Sequence, residues 1–377
     1  MPELRAAVIG AGFVGRAHIE ALRRLAIPVV GVLGSSPERG RETAQTLRIA
    51  HAYESLVELA SDTTVDVVHV CTPNHLHYEE VSTLLKAGKH VCCEKPLAMN
   101  TKESAALVDL TRSVGKKAAV NYNLRYYPLC QEARSLIARG DIGEPRMARG
   151  AFLQDWLFYP TDWNWRLETQ LGGELRAVSD IGTHWLDLTS WLTDRRVVEV
   201  CADLATFIPV RMRPRGRVET FAAAAEGGDP ISISTDDYGS ILLHFERGMR
   251  GAVTVSQVSA GRKAFLEFEI SGSEGSLVFN TESPNEMWIG RRNRSNRILL
   301  KDPALMSPDT RAYANYPGGH TEGYPDTFVN LFRDFYSAIQ GEKSQHQYAT
   351  FENGHDEMVL CDAIAKSAQK RQWVSVG

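Results

Sequence analysis

The chain has 377 residues, 43% of them hydrophobic and 23% charged, with a formal net charge of −4. That length is too great for one ordinary core and calls for two domains, and the charge gives no reason to expect nucleic acid or an anionic membrane as partner. No apolar run approaches the ~20 residues of a membrane span, Met1 to Val8 has no signal-peptide layout, and the six cysteines show no CxxC spacing, so the expectation is a reduced, cytoplasmic protein without structural zinc or disulfides.

In chain order, Arg5 to Gly10 is a short apolar run that meets Gly10-Ala11-Gly12-Phe13-Val14-Gly15 and then a helical pattern through Arg24. Strand, G-x-G-x-x-G, helix is the layout that brings a pyrophosphate against backbone N–H groups at the positive end of a helix. A second strand, Pro28 to Leu33, ends in Gly34-Ser35-Ser36-Pro37-Glu38-Arg39. This is the ribose-recognition position, where NAD enzymes usually carry an acid. Two serines and Arg39 suit a 2′-phosphate better, which favours NADP(H) over NAD. The alternative is that Ser36 simply caps the next helix with Pro37 at its first position.

Tyr53 to Ala60 then reads as a short helix, and Val65 to Cys71 as a strand ending in the loop Thr72-Pro73-Asn74-His75-Leu76-His77. Tyr78 to Ala87 reads as a helix closed by Gly88, and His90 to Cys93 as a buried strand stopped by Glu94-Lys95-Pro96. The helix Thr101 to Val114 and the strand Lys117 to Val120 follow. Strands alternating with helices imply a parallel, doubly wound α/β sheet. The crossover rule then puts the strand-end loops 10–15, 34–39, 72–77 and 94–96 along one edge. Lys95 is thereby held where open parallel sheets bind their ligands.

After Asn121-Tyr122-Asn123-Leu124-Arg125 the pattern changes. The helix Pro128 to Arg139 leads into Arg146 to Gln154, Val197 to Pro209, Tyr238 to Glu246, Met249 to Ser259, Ala264 to Ser271 and Ser276 to Phe279, which read as strands of a large, mostly antiparallel open sheet. Arg211 to Asp229 reads as a mobile loop with solvated charges. Helices Tyr324 to Ile339 and Asn353 to Lys370 close the chain. The expected division is a Rossmann domain, 1–124, and an α+β domain, 125–377, with the helix 353–370 free to pack back near the first.

Asp180 and His184, in Ser179-Asp180-Ile181-Gly182-Thr183-His184, are four residues apart at the start of the apolar helix Trp185 to Leu192. On a helix this spacing stacks them, and a carboxylate beside an imidazole orients a general base. The competing reading is a capping Asp and a core His. No third ligand lies near in sequence to suggest a metal. The loop Trp156 to Arg166 offers Trp163 and Arg166 to a sugar face and its hydroxyls, with a hydrophobic plug under the loop, for Trp156 and Trp165 above all, as the alternative. The glycine-rich loop Pro317 to Gly323 offers His320 and Glu322.

Gly10 to Gly15, Cys71 to His77, Glu94-Lys95-Pro96, Trp165-Arg166 and Asp180-x-x-x-His184 occur in the order that resembles the Gfo/Idh/MocA oxidoreductases. The resemblance implies an NAD(P)-dependent enzyme with a C-terminal domain whose open sheet makes homodimers or homotetramers. Its catalytic set would be Lys95, Asp180 and His184. Gly10, Gly12, Phe13, Val14, Gly15, Ser35, Ser36, Arg39, Thr72, Pro73, Asn74, His77, Glu94, Lys95, Asn123 and Arg166 would lie around the cofactor. Tyr122, Arg125, Trp163, His320 and Glu322 would contact the substrate, and the Lys95–Pro96 bond would be cis. The expected activity is hydride transfer at a secondary carbinol of a sugar, a polyol or their keto forms. Redox-neutral glycoside cleavage through transient oxidation is the alternative on the same parts, and a non-enzymatic NAD(P)-binding sensor is the more remote one.

Overall fold

A computed structural model describes residues 4–216, 227–342 and 347–377. The chain forms two compact units, one of residues 4–123, Gln170–Gly173 and Phe328–Met358, the other of Leu124–Thr169, Glu174–Thr327 and Val359–Gly377. Among the described residues no helix is long and apolar enough to cross a membrane.

The first unit alternates strand and helix from the start. Its elements are β1 (Ala6–Ile9), α1 (Phe13–Arg24), β2 (Val29–Leu33), α2 (Pro37–Leu47), β3 (His51–Tyr53), α3 (Leu56–Ser61), β4 (Val67–Val70), α4 (Asn74–Lys86), β5 (His90–Cys93), α5 (Thr101–Val114) and β6 (Ala118–Val120). All six strands are parallel, in the order β3-β2-β1-β4-β5-β6. Strands covered on both faces need apolar side chains throughout, and β1, β4 and β6 are buried at every residue. The order reverses at β1, which makes the carboxyl ends of β1 and β4 the switch point where such sheets take ligands. The stretch 328–358 belongs to this unit and reaches its sheet, since the Val120 amide donates to the Ala349 carbonyl.

Two boundaries differ from expectation. Tyr53 to Ala60 is not one helix: His51 to Tyr53 is a strand, and α3 starts after Ser55, whose hydroxyl accepts from the Glu58 amide while the Glu58 carboxylate accepts from the Glu54 amide. That reciprocal pair is a capping box, legible as Ser55-x-x-Glu58. The supposed loop Thr72–His77 is also shorter, because Asn74 to His77 are the first turn of α4.

The second unit is built on a nine-stranded sheet. The elements that follow in chain order are α6 (Pro128–Ala138), β7 (Pro145–Leu153), α7 (Thr169–Gly172), α8 (Thr183–Thr193), β8 (Val197–Ala205), β9 (Val210–Arg213), β10 (Asp229–Ser232), β11 (Tyr238–Phe245), β12 (Arg250–Ser256), β13 (Phe265–Gly272), β14 (Ser276–Asn280), β15 (Glu286–Gly290), β16 (Arg297–Leu300), α9 (Tyr324–Ile339), α10 (Phe351–Lys370) and β17 (Val374–Ser375), of which α7 from Gln170, α9 from Phe328 and α10 as far as Met358 belong to the first unit. The sheet order is β16-β15-β14-β13-β7-β12-β11-β8-β17, and only the central β7–β12 pair is parallel. The fold is therefore a Rossmann sheet plus an α+β unit with a large, mostly antiparallel sheet. Helix α8 packs on β7 and β13, and the Trp185 indole N–H donates to the Glu267 carbonyl at 2.8 Å. A Cβ on Gly150 would fall 2.4 Å from the Trp185 Nε1 and 2.0 Å from the Glu267 oxygen, so the close approach needs glycine there.

The expectation of solvated charges after Arg211 is corrected for Arg211 itself. It lies in β9, paired with β10, and is fully buried against Asp237. The loop expectation for 217–226 falls outside the described residues.

Candidate functional site

In the first unit the glycine turn joins β1 to α1 at the switch point. The Gly10 amide donates to Leu33 and the Cys71 amide to Ile9, which ties the ends of β2, β1 and β4 together. A Cβ on Gly10, whose φ is +81°, would sit 2.7 Å from the Cys71 carbonyl oxygen, and one on Gly15 would sit 1.9 Å from the Gly10 oxygen. Gly12 differs: a Cβ there meets nothing within 4 Å. Gly12 stands before the first turn of α1, no side chain caps that turn, and no acid lies in it. The open space and the helix start without a side-chain cap fit a pyrophosphate. Phe13 beside it is 50% exposed. Gly12→Val is expected to weaken dinucleotide binding at least tenfold by calorimetry while leaving the melting temperature unchanged, because the added side chain meets ligand space and not protein.

At the end of β2, Ser36 caps α2 by accepting from the Arg39 amide, and the Arg39 guanidinium reaches the Ser35 hydroxyl at 3.4 Å. The capping reading is thus realised, with Ser35 and Arg39 exposed around it.

The loops after β4 and β5 are tied to each other through His77. Its ring is fully buried, with Nδ1 2.8 Å from the Pro96 carbonyl oxygen and Nε2 2.9 Å from that of Thr72. Both carbonyls only accept and burial favours the neutral ring, so the imidazole donates to one of them at a time and is spent between the loops, which corrects the expectation of a cofactor contact. Asn74, also buried, donates to the Gly172 carbonyl. Thr72 donates to Glu80, whose carboxyl is pushed up to about 7, chiefly by burial. A carboxyl raised in the folded state contributes stability below its ordinary pKa and loses it as pH rises through the raised one. Glu80→Gln should therefore flatten the decline in stability between about pH 4.5 and 7, read by denaturant titration across that range.

Lys95 follows β5 directly, is half-buried, and its bond to Pro96 is cis. Glu94 beside it is buried. Burial pushes its carboxyl up, but hydrogen bonds from His18 and Asn121 and the charge of Lys95 outweigh this and lower it. His18, His69 and Cys92 bring three atoms of metal-ligand type within 4.8 Å of one another. The two imidazoles are committed to each other and to Glu94, and burial holds the Cys92 thiol well above its usual range, so the set does not fit a metal. Tyr122, 1% exposed, lies in the apolar core of this unit and Asn123 is buried as well; the ring expected at the substrate is a core ring.

In the second unit Asp180 lies in a π-helical turn, Val178–Gly182, and His184 in the first turn of α8 that continues it. Such wide turns are frequent at functional positions. The capping duty falls elsewhere: Asp236 accepts from the Arg176 amide at 2.6 Å and the Val178 amide at 2.9 Å. Asp180 is thereby left to other partners. Its Oδ1 accepts from Arg166 Nε at 2.9 Å and its Oδ2 from Gln257 Nε2 at 2.8 Å. Gln257 in turn accepts from Arg176, which is paired with Asp237. His184 is half-buried near the Phe152 ring. Arg166 stacks on Trp165, 4.4 Å from the ring centroid, and donates to Asn164.

The remaining expected substrate contacts are sorted by what they touch. Arg125 is a buried structural group: its Nε donates to Asp187 at 2.7 Å, Nη2 reaches the other carboxylate oxygen, and Trp191 covers it. Glu322 is fully buried against the Lys301 ammonium at 2.7 Å and accepts from the Asn315 amide. Both are corrected to structural roles, because each charge is already satisfied where no ligand reaches it. Trp163 packs on the small cluster of Leu157, Leu167 and Ile233 under Arg213, which realises the plug. His320 is exposed on its loop. Sequence reasoning missed Gln257, Arg176, Asp236 and Asp237, and a lone buried-acid pair, Asp236-Asp237, was the one signal for them.

A family model described as an NAD-binding Rossmann fold of an oxidoreductase family matches residues 4–122, and one described as the GFO/IDH/MocA C-terminal domain matches 130–278. The chain is 31% identical to levoglucosan dehydrogenase of Pseudarthrobacter phenanthrenivorans, covering 100% of this chain and 99% of that one. It is 36% identical to 1,5-anhydro-D-fructose reductase of Ensifer adhaerens over 98% and 97% of the two chains. The structure of levoglucosan dehydrogenase in complex with NADH and levoglucosan matches with a TM-score of 0.88 and 30% identity, covering 99% of each chain.

Proposed function

The chain belongs to the Gfo/Idh/MocA family of NAD-binding oxidoreductases, and from that premise we propose that it oxidises a secondary carbinol of a sugar or polyol, or reduces the corresponding ketone. The observation that carries this reading is the position of Lys95, half-buried at the end of β5 on the edge that also holds the glycine turn. The bound nicotinamide supplies the hydride acceptor or donor. His184 takes the hydroxyl proton in the oxidative direction. Lys95 stabilises the oxygen as negative charge develops on it. Asp180, held by Arg166 and Gln257, fixes the electrostatics around His184.

The relatives named for levoglucosan and anhydrofructose make anhydro sugars and their keto forms the first substrates to try. Ser35, Ser36 and Arg39 favour NADP(H), since the Arg39 guanidinium beside the exposed Ser35 hydroxyl suits a 2′-phosphate. A second copy of the chain is proposed to cover the open face of the nine-stranded sheet, where the register sets the exposed Met147 and Leu242 on one side. The cytoplasm is the proposed compartment.

The test is a screen of sugars, polyols and their keto forms with NAD and with NADP, following absorbance of the reduced nicotinamide. Turnover with at least one sugar is expected, and Arg39→Ala should raise the Kd for NADP while sparing NAD. Release of aglycone from aryl glycosides with no net nicotinamide change would replace this reading with redox-neutral cleavage.

A further inference from the structure

Four side chains of the first unit form a line that the proposed reaction does not use. The Tyr336 hydroxyl lies 3.1 Å from His69 Nε2, His69 Nδ1 lies 2.9 Å from His18 Nδ1, and His18 Nε2 lies 3.0 Å from Glu94 Oε1. His18 and His69 are fully buried and Tyr336 nearly so. Phe328 and Phe332 close over the two rings. Asn121 donates to the same Glu94 oxygen.

The chemistry of the donors gives this line a direction. An ionised carboxylate only accepts, so His18 Nε2 must carry its proton. A neutral His18 then presents a bare Nδ1, and His69 must donate to it from Nδ1. That leaves His69 Nε2 bare to accept from the Tyr336 hydroxyl. Every bond in the line points toward Glu94. The opposite sense needs either a ring lone pair against a buried carboxylate or a doubly protonated His18. Burial holds His69 well below its usual range, in keeping with a neutral ring.

Glu94 is adjacent to Lys95, and the Lys95 amide itself donates to Glu94 Oε2 at 3.3 Å. We propose that Tyr336, His69 and His18 form a one-way hydrogen-bond chain that keeps Glu94 an anion beside Lys95, and that these three are positioning residues for the lysine. This rests on the reading of Lys95 given above. The chain keeps the charge of Glu94 in place, and that charge stands next to Lys95 in the loop. The other titratable groups facing the line are Asp66 toward Tyr336, Cys92 toward Tyr336 and Glu94, and Cys71, Cys93 and Glu80 around the two loops. Burial, helped by the nearby Glu94, holds each cysteine neutral through the neutral pH range.

The direct test is long-range proton–nitrogen NMR on the full chain labelled in histidine, with wild type, Tyr336→Phe and His18→Gln. The expected wild-type result is an Nε2–H tautomer for His18 and an Nδ1–H tautomer for His69. An imidazolium at His18, or Nε2–H on both rings, would overturn the direction of the chain. The kinetic arm compares pH profiles of kcat. His18→Gln is expected to move one limb by at least half a pH unit, and Tyr336→Phe, which keeps its ring, by less in the same sense. A profile lowered in height but unmoved in pH would make these residues merely structural. The tautomers are read without any substrate, so a chain that turns over no sugar but shows them would refute the activity and leave the relay standing. Sugar turnover with the wrong tautomers would do the reverse.

Discussion

Lys95→Ala is expected to lower kcat on the true sugar by about 10²–10³, the usual cost of removing one preorganised donor from a developing oxyanion. Cofactor affinity should change little, because the pyrophosphate site proposed at Gly12 and α1 does not depend on the lysine side chain. Steady-state kinetics and cofactor titration on one preparation separate the two. Near-normal turnover would remove Lys95 from the reaction. Lys95→Arg is a sharper control: it keeps charge but replaces a compact ammonium with a planar fork, and should recover little activity.

The second large effect is structural and lies in the other unit. Asp237 accepts from both Arg176 and Arg211, and none of the three side chains is accessible to solvent. Its second oxygen also accepts from the Ile208 amide. Asp237→Ala would leave two guanidinium groups buried without their shared counter-charge. Breaking such a cluster typically costs about 3–5 kcal/mol, so a large fall in stability is expected by denaturant or thermal unfolding. A melting temperature near that of the wild type would mean that water reaches the cluster. The loss should also be felt at Asp180. Arg176 holds Gln257, Gln257 holds Asp180, and Arg211 bonds the Leu157 and Tyr159 carbonyls of the loop that carries Arg166.

The parallel half of the fold was legible because its signals are local. The glycine turn, the apolar runs at β1, β4 and β5, and the proline after Lys95 each report on a few consecutive residues. Helix α5 matches its expected span because Asn100 caps it and Gly115 ends it in the left-handed conformation. The capping box Ser55-x-x-Glu58 was equally local but was passed over, which is why β3 was absorbed into a helix. In the second unit β15 and β16 went unread, since short strands flanked by an arginine-rich turn carry little period-two contrast. Arg211 was misread for a deeper reason. Whether a charged residue is solvated or buried depends on a partner, Asp237, that the chain supplies far along the sequence. The same holds for Arg125 and Glu322, which look like ligand groups by type and are satisfied by Asp187 and Lys301. Residue type announces chemistry, and only the folded neighbourhood says whether that chemistry is already used.

The stretch 328–358 gives the nucleotide unit a property of timing. Its rings cover His18 and His69, and its Ala349 carbonyl pairs with β6. During synthesis the residues before 124 leave the ribosome long before that stretch exists. The two histidines and the outer edge of β6 must wait, uncovered, until residues 328–358 are made. A nascent chain halted after the glycine turn and β6 would carry every motif for a dinucleotide and still lack part of its own wall. Expression of residues 1–123 alone should accordingly yield an insoluble or chaperone-bound fragment, whereas a circular permutant opened in the second unit, with 328–358 made before β1, should fold.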